Sequence, residues 1–238
     1  MEIDVCFSPV LYPFYSEREK DSIVVVVDIF RASTTMCAAL ANGAQSIITV
    51  ASTEEAVQYK KQGYLVGAER NVKRCDFADF GNSPFDYTPE KVEGKTIVFT
   101  TTNGTQAIEK ASDCYKLVVG AFSNISAIVG LCAAEKKDVI VLCAGWNNKF
   151  NIEDSLYGGV LVDRLFRYGF TCGSDAAVVA KDMWKEAQND VRKYIDRAEH
   201  IKRLDVNGLQ DSVDYCLTED TVSFVPVFDK RKKSFTLL

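Results

Sequence analysis

Short runs of β-branched residues alternate with segments of helical pattern along this chain, and this alternation restricts its fold more than any other feature. Ile23–Val27 is an unbroken apolar run, as expected for a central strand that is buried on both faces. Ser33–Leu40 has a helical pattern, Ser46–Val50 is a second strand, and Thr53–Lys61 begins with a threonine cap and acidic residues. Strands and helices in this order predict βαβ units, in which helices cover both faces of a parallel sheet.

The alternation continues to about residue 143, after which the chain becomes mostly helical. The further predicted strands are Tyr64–Gly67, Thr96–Thr100, Leu117–Gly120, Val139–Leu142 and Val222–Phe228. The further predicted helices are Thr105–Ala111, Ser123–Ala134, Glu153–Tyr168 and several within Ser174–Leu217. Pro226 lacks the N–H that a central strand needs, which favours an edge position for the last strand. We predict an α/β fold with three α/β/α layers, a largely parallel sheet and a helix-rich C-terminal part.

The length and charge of the chain narrow its function classes. A chain of 238 residues suits one domain, so we treat 1–238 as a single α/β domain, with two sublobes that meet near 145–152 as the alternative. The 28 Lys and Arg against 33 Asp and Glu give a net charge of −5, without the basic footprint of a protein that binds nucleic acid or an anionic membrane. No stretch reaches the about 18 uncharged apolar residues of a membrane span. We expect a cytoplasmic protein whose partner is a small anionic substrate, with a homodimer as one option for its assembly.

His200 is the only histidine in the sequence, and this excludes many metal and catalytic sites. Zinc sites with two or three histidines, HExxH helices and paired-histidine phosphotransfer cannot be built within one chain. A metal would therefore be held by oxygen ligands, which favours Mg²⁺ or Mn²⁺. The eight cysteines show neither CxxC spacing nor the later arginine of CX₅R phosphatases, and several lie in apolar runs, as buried hydrophobes do.

In a doubly wound sheet, ligands bind beyond the carboxyl ends of the strands, so the residues that follow each strand are the first candidates. Asp28 follows the valine-rich strand and could bind a metal or attack a phosphorus atom. Arg31 can pair with an anion through two N–H groups, and Ser33 and Thr34 open a helix whose N-terminal amides favour an anion. The structural alternative is that Ser33 is an ordinary helix cap and that Arg31 pairs with Asp28.

A second polar segment follows the strand at Tyr64–Gly67. Glu69 could be a metal ligand or a general base, and Arg70 could clamp an anion. A long loop then leads to Asn82 and Ser83, which could donate hydrogen bonds. The structural alternative is a surface ion pair followed by a turn, although a loop of this length in a compact domain is more often functional.

A run of hydroxyl residues links the strand at Thr96–Thr100 to the next helix. Clustered hydroxyls, an Asn-Gly turn and free amides at a helix N-terminus can form a nest for an anion. The loop is not of the Walker type, because no Gly-Lys-Ser or Gly-Lys-Thr follows. Capping and turn chemistry are the structural alternative. The candidate residues of this loop are Thr101, Thr102, Asn103, Gly104 and Thr105.

The last candidates lie in the helix-rich part of the chain. Glu153 and Asp154 stand in the first turn of a long predicted helix, where acidic residues commonly complement the helix dipole. Cys143 has no neighbour that would activate it as a nucleophile, so we expect it in the core. A lone helical histidine such as His200 is more often structural, but its basic neighbours leave an anion-binding or proton-donating role open.

Taken together, these motifs resemble the 2-phosphosulfolactate phosphatase (ComB) family. The blocks that carry the resemblance are DIFRASTT at 28–35, GAER at 67–70, GNSP at 81–84, TTTNGT at 100–105, CAG at 143–145, IED at 152–154, and a late stretch with His200 and Val225-Pro226. They occur in order over almost the whole chain, and TTTNGT and the GAER and GNSP pair are distinctive. The resemblance implies an α/β/α fold and Mg²⁺-dependent hydrolysis of (2R)-2-phospho-3-sulfolactate to sulfolactate and phosphate, a step towards coenzyme M.

Our mechanistic hypothesis is the metal-assisted transfer of a phosphoryl group directly to water, which needs mainly positioning and neutralisation of negative charge. Asp28, Glu69 and Asp154 are the predicted catalytic residues and Mg²⁺ ligands. The predicted substrate-binding residues are Arg31, Ser33, Thr34, Arg70, Asn82, Ser83, Thr101, Thr102, Asn103, Gly104, Thr105 and His200.

Two other functions stay open at this point. Asp28 could form a covalent phospho-aspartate, as in haloacid-dehalogenase-like phosphatases, and act on another small phosphate ester. Against this, Phe30 stands where the second aspartate of that motif is expected. The chain could also be a non-catalytic α/β module that binds a small anion without releasing phosphate.

Overall fold

In the computed structural model, which describes residues 1–238 except for the side chain of Ser16, the strands form one eleven-stranded sheet. The strands are β1 Glu2–Cys6, β2 Ile23–Val27, β3 Ser46–Thr49, β4 Leu65–Arg70, β5 Lys73–Arg74, β6 Thr96–Thr100, β7 Lys116–Gly120, β8 Val139–Cys143, β9 Thr171–Cys172, β10 Pro226–Asp229 and β11 Ser234–Leu237. They lie side by side in the order β5-β4-β6-β3-β11-β10-β7-β2-β8-β1-β9.

Helices pack on both faces of this sheet. They are α1 Ser16–Glu19, α2 Ala32–Ala41, α3 Thr53–Lys61, α4 Pro89–Val92, α5 Gly104–Lys110, α6 Ile125–Glu135, α7 Ile152–Phe166, α8 Asp175–Ala187, α9 Val191–Ile195, α10 Glu199–Val206 and α11 Asp211–Leu217. Short 3₁₀ turns are formed by Tyr12–Tyr15, Pro84–Asp86 and Phe122–Asn124. Over the described residues, no helix combines the length and apolar character needed to cross a membrane.

The valine-rich strand lies inside the sheet and is buried on both faces, as predicted. β2 pairs in parallel with β7 on one side and with β8 on the other. Ile23, Val25 and Val27 pack into one core with residues of α6, α7 and α8. Val24 and Val26 pack into a second core with residues of α2 and α5. The predicted α/β fold with a largely parallel sheet is therefore confirmed.

The last predicted strand does not lie at an edge. Pro226 begins β10, which forms an antiparallel hairpin with β11 in the middle of the sheet. The edge prediction is wrong because proline removes one N–H only, and Pro226 stands at the first residue of its strand, where that N–H is dispensable. Val227 of β10 pairs with Val118 of β7, and β11 pairs with β3. The hairpin thus joins two parallel halves of the sheet.

Within each half of the sheet, the carboxyl ends of the parallel strands lie at the same edge. β2 and β8 end together in one half, and β4 and β6 end together in the other. Because three antiparallel pairings separate β7 from β3, the two halves run in opposite directions through the hairpin. The two carboxyl edges nevertheless meet, since a Cβ built on Gly104 after β6 would lie 2.8 Å from Asp28 Oδ2 after β2. Polar loops from both halves therefore share one site.

Helices α7 and α8 pack closely enough to require a glycine between them. A Cβ built on Gly159 of α7 would lie 2.0 Å from the carbonyl oxygen of Ala180 in α8. That distance is far below van der Waals contact, so a larger residue must push the helices apart. Gly130 of α6 is a useful contrast, because a Cβ there meets nothing within 4 Å among the described residues.

We expect Gly159→Ala to lower the free energy of unfolding by about 1–3 kcal/mol, as overpacking of a core does. The control, Gly130→Ala, should leave stability unchanged or raise it by up to about 1 kcal/mol, because alanine favours an exposed helix interior. Urea unfolding followed by circular dichroism measures both. Equal effects of the two substitutions would contradict the close α7–α8 packing.

Candidate active site

A narrow cleft lies where the carboxyl edges of the two halves meet. Its walls are formed by Asp28, Phe30, Arg31, Glu69, Val72, Asn82, Asn103, Trp146, His200 and Leu204. The predicted site residues among them are Asp28, Arg31, Glu69, Asn82, Asn103 and His200. Residues far apart in the sequence thus converge on one concave space, as they do in ligand-binding sites.

Asp28 is the buried carboxylate at the end of β2. The N–H of Ala32, at the start of α2, donates to its Oδ1 at 3.3 Å. The pKa of Asp28 is raised to about 6, mainly because burial disfavours its charged form. The carboxylates of Glu69 and Glu153 add to this rise, whereas His200 opposes it. Asp28 therefore changes charge near neutral pH, which suits a group that handles a proton or a cation.

Gly104 lets the loop of the second half approach this carboxylate. A side chain at this position would collide with Asp28 and would also lie 3.0 Å from the Cβ of Ala32. Thr101 Oγ1 is 3.3 Å from the same point, and among the described residues this buried hydroxyl has no hydrogen-bond partner. The threonine loop thus places an unpaired polar atom beside Asp28.

Arg31 lies in the cleft with only 4% of its surface exposed. Its Nη1 donates to Ser212 Oγ over 3.4 Å, and it forms no ion pair with any described carboxylate. The structural alternative, an ion pair between Arg31 and Asp28, is thus not formed. Burial lowers the pKa of Arg31, because a guanidinium without a counterion is unfavourable in a dry site. An anion in the cleft would supply the missing charge, so Arg31 is the main anion-binding candidate.

Glu69 connects the ends of β4 and β6. Its carboxylate accepts a hydrogen bond from the N–H of Val72, and Thr102 Oγ1 donates to its Oε1 at 3.2 Å. The N–H of Thr102 lies 3.5 Å from Oε2. These donors hold a buried carboxylate in the cleft wall, where the sequence predicted it. Thr102 acts here by positioning Glu69.

Arg70 lies beside the cleft and braces the loop after β4. Its guanidinium donates to the carbonyl oxygens of Glu69 at 2.6 Å and of Ala51 at 3.3 Å. It also donates to Thr100 Oγ1 at 2.9 Å. The structure therefore gives Arg70 a clear role in loop geometry, and its contact with a substrate stays a prediction.

Several of the predicted hydroxyl groups bond to their own chain. Ser33 Oγ donates to the carbonyl of Asp28 at 2.8 Å and accepts from the N–H of that residue at 3.0 Å. Thr34 Oγ1 donates to the carbonyl of Ile29, and Thr105 Oγ1 donates to a carbonyl four residues earlier, each at 3.2 Å. These bonds are turn and capping chemistry, so the three side chains shape the loops of the site, and their contact with a substrate stays a prediction.

The two asparagines of the cleft have different surroundings. Asn82 Oδ1 is buried and has no hydrogen-bond partner among the described residues. Asn103 Oδ1 accepts from the N–H of Asn147 at 3.0 Å, which ties the two halves together at the cleft. Ser83 is partly buried and starts the 3₁₀ turn that follows Asn82. Asn82 is thus free to meet a ligand, whereas Asn103 also has a structural bond.

Asp154 lies beneath the cleft and holds the ends of β2 and β8 together. Its Oδ1 accepts from the N–H of Ile29 at 2.8 Å, and its Oδ2 accepts from the N–H of Gly145 at 3.0 Å. The side-chain amide of Asn151 adds a bond of 2.9 Å to Oδ2. Burial raises the pKa of Asp154 well above its usual value, and the charge of Asp28 adds to the rise. Its bonds make it a positioning group, and its metal-binding role stays a prediction.

A carboxylate–imidazole pair in the cleft wall was missed by the sequence analysis. His200 Nδ1 lies 2.8 Å from Glu153 Oε1, and both side chains are buried. The imidazole ring is flanked by Phe30 and Trp146, with ring centroids 5.8 and 5.4 Å away. Glu153 Oε2 is buried without a hydrogen-bond partner among the described residues. His200 therefore belongs to the site, with its ring fixed on several sides.

One feature of the sequence indicated that the side chain of Glu153 is buried. The residues after it in α7 are apolar or small and are buried, from Leu156 to Leu161. A helix surrounded by core has no solvent-facing first turn, so its acidic residues must point into the protein. Helix-dipole complementation, which assumes exposure, was therefore the weaker interpretation.

Comparison with known proteins assigns the chain to a family. A family model described as 2-phosphosulpholactate phosphatase matches residues 10–231. The chain is similar to a probable 2-phosphosulfolactate phosphatase of Thermotoga maritima, with 40% identity over 85% of this chain and 87% of that protein. Proteins with the same name from Clostridium novyi and Caldanaerobacter subterraneus are 35% and 34% identical, over 96% and 90% of this chain and 97% and 91% of theirs.

The chain belongs to the 2-phosphosulfolactate phosphatase family. The resemblance carried by the sequence motifs is thereby confirmed, and the protein is a phosphoric monoester hydrolase. For such a phosphatase the cleft holds a suitable set of groups: the unpaired guanidinium of Arg31, the carboxylates of Asp28 and Glu69, and the imidazole of His200. Together they can bind a phosphate, hold a cation and exchange protons.

We expect Asp28→Asn to stabilise the phosphatase above about pH 6 by up to about 3 kcal/mol. The pKa of Asp28 rises from 3.8 to about 6 on folding, so ionising this carboxyl costs more free energy in the folded state than in the unfolded chain. As the pH falls from about 6 to about 4, wild type binds this proton and the difference should shrink.

Urea unfolding over this pH range measures the effect, with Asp76→Asn at an exposed position as the control. A difference between Asp28→Asn and wild type that does not change with pH would contradict the raised pKa.

Proposed function

We propose that this protein hydrolyses the phosphate ester of a small 2-hydroxy acid, with (2R)-2-phospho-3-sulfolactate as substrate and sulfolactate and phosphate as products. The observation that carries the proposal is the buried, unpaired Arg31 in a cleft with Asp28 and Glu69. The names of the relatives point to the same substrate. In a cell, this activity would act in the cytoplasm, on the route to coenzyme M.

Arg31 would bind the phosphoryl group. Its planar guanidinium can donate two parallel N–H bonds to phosphate oxygens, and the ester would bring the negative charge that Arg31 lacks. Water would then attack phosphorus directly, because this reaction needs mainly positioning and charge neutralisation. The unpaired Thr101 hydroxyl and Asn82 amide oxygen are buried. The hydroxyl can donate to the ester or to a bound water, and the amide oxygen can accept from a bound water.

Mg²⁺ would be held by carboxylate oxygens of the cleft wall. In the described part of the chain, no group of three or more His, Cys, Asp or Glu is arranged to hold a metal ion. Mg²⁺, however, usually takes one or two protein carboxylates, with phosphate oxygens and waters as its other ligands. Asp28 and Glu69 would hold it, and their mutual repulsion is what a divalent cation relieves. When bound, Mg²⁺ would neutralise charge on the phosphoryl group.

A groove beside the cleft has a small excess of basic side chains, which supports a substrate with further acidic groups. It shares Trp146 and His200 with the cleft and is lined by the cations Lys149, Arg197 and Arg203 and by the carboxylates Glu153 and Glu199, of which Glu199 pairs with Arg203 at 3.5 Å. The guanidinium of Arg203 lies 4.3 Å from the centre of the Trp146 ring. Carboxylate and sulfonate groups of the substrate would face these cations, despite the net negative charge of the chain.

The decisive experiment measures phosphate release from a panel of phosphorylated 2-hydroxy acids, with and without EDTA. We expect phosphosulfolactate to be hydrolysed best, EDTA to abolish the activity and Mg²⁺ to restore it. Activity that persists in EDTA would contradict the metal requirement. Trapping of a phospho-aspartate at Asp28 would favour the covalent mechanism. Tight binding without phosphate release would favour a non-catalytic module.

Arg31→Lys should lower kcat/KM for the best ester by about 100-fold or more, because lysine keeps the charge but cannot donate the two parallel bonds. Arg167→Lys is the matched control, since Arg167 is exposed at the end of α7, and it should behave as wild type. Steady-state phosphate release measures both variants. A similar kcat/KM for Arg31→Lys and wild type would overturn the role of Arg31.

A further inference from the structure

The buried imidazole of His200 has one ring nitrogen engaged and one remaining for a ligand. Nδ1 lies 2.8 Å from Glu153 Oε1, whereas Nε2 has no hydrogen-bond partner among the described residues. The side chain lines the same cleft as Asp28 and Arg31. Phe30 and Trp146 flank the ring and restrict its rotation. The ring is thus fixed next to the position proposed for the phosphate ester.

We propose that His200 is the general acid of the phosphatase reaction and that Glu153 is its positioning residue. This inference rests on the proposed function, since it needs an ester bound by Arg31. Nε2–H would donate its proton to the ester oxygen that leaves phosphorus. Glu153 would accept the Nδ1–H bond and so fix the orientation of the ring, as a carboxylate does for a catalytic histidine in hydrolases.

The chemistry of phosphoryl transfer favours a role for His200 as proton donor to the leaving oxygen over a role as base that activates water. Its transition state is loose, with the bond to the leaving group largely broken and the bond to water little formed. An alkoxide formed from a 2-hydroxy acid is a strong base, so it leaves readily only if it receives a proton. A base that removes a proton from water contributes less, because water has barely begun to react.

The atoms of this step balance as follows. The bond between phosphorus and the ester oxygen breaks, and its electron pair stays on that oxygen, which takes the proton from Nε2. The oxygen of water bonds to phosphorus; one proton of this water remains on the phosphate product and the other passes to solvent. The products are a free hydroxy acid and phosphate, and His200 regains its proton from solvent.

The surroundings of His200 suit such a proton donor. The side-chain amide of Asn151 donates to Glu153 Oε1 at 3.2 Å, which holds the carboxylate in place. The charged groups nearest the ring include Glu153 from α7 and Asp28 from the loop after β2. Arg31 and Glu69 line the same cleft, and Lys149, Arg197, Glu199 and Arg203 line the adjoining groove. As the chain has a single histidine, no second imidazole can replace it.

The test compares two esters that differ in how much their leaving groups need a proton. Wild type and His200→Asn are assayed on a phosphorylated 2-hydroxy acid and on p-nitrophenyl phosphate, whose leaving group is stable as an anion. For the hydroxy-acid ester we expect kcat to fall by about 100-fold or more, the usual size of general acid catalysis. For p-nitrophenyl phosphate we expect a fall of less than about threefold.

Glu153→Gln tests the positioning residue with the same two esters. We expect a smaller loss of about tenfold, again confined to the hydroxy-acid ester, because glutamine can still accept the Nδ1–H bond. Asp205→Asn is the matched control, since Asp205 is exposed on the same helix as His200, and it should leave both rates unchanged.

Equal losses of His200→Asn on the two esters would overturn the inference and leave the proposed function standing. A wild-type protein that releases phosphate from neither ester would overturn both. If His200→Asn does not fold, the rates of the wild-type protein on a series of esters with leaving groups of different basicity test the inference instead. A rate that depends weakly on leaving-group basicity supports a proton donor, and a rate that falls steeply with basicity overturns it.

Discussion

The close approach of Gly104 to Asp28 is the contact on which the site depends. It brings a loop from one parallel half of the sheet against a carboxylate from the other, at a distance that leaves no room for a Cβ. Within each half, another carboxylate holds neighbouring loops together by hydrogen bonds. Asp154 joins the loops that follow β2 and β8, and Glu69 joins the ends of β4 and β6. The cleft therefore lies between the carboxyl edges of the two halves, each of which is stabilised by its own hydrogen bonds.

This arrangement concentrates negative charge in a buried place. The buried carboxylates of the site are Asp28, Glu69, Glu153 and Asp154. Asp154 receives three N–H bonds, which compensate its burial. Glu153 faces His200 through Oε1, while its Oε2 has no hydrogen-bond partner among the described residues. Asp28 receives one long bond, and burial raises its pKa. The least satisfied carboxylate and the unpaired Arg31 share the cleft, as expected where stability is given up for function.

Much of this site could be predicted because polar residues that follow parallel strands share an edge. That reasoning selected Asp28, Arg31 and Glu69, and all three line the cleft, although Glu69 follows a strand of the other half. It could not predict that the two edges face each other, because this depends on a hairpin that pairs far from the motifs in sequence. Side-chain direction was also beyond it, since the hydroxyl of Ser33 serves its own turn. The pairing of Glu153 with His200 joins residues 47 apart and leaves no local pattern.

The central position of the β10–β11 hairpin has a consequence for how the chain folds. Both of its strands follow the other nine in the sequence, yet they lie between β7 and β3. During synthesis, each parallel half can form early. Its inner edge strand, β7 or β3, stays unpaired on one side until residues 226–237 have been made. Until then, each half exposes a strand edge that could pair with another chain. The step that completes the sheet is therefore a late, long-range closure, of the kind that slows folding.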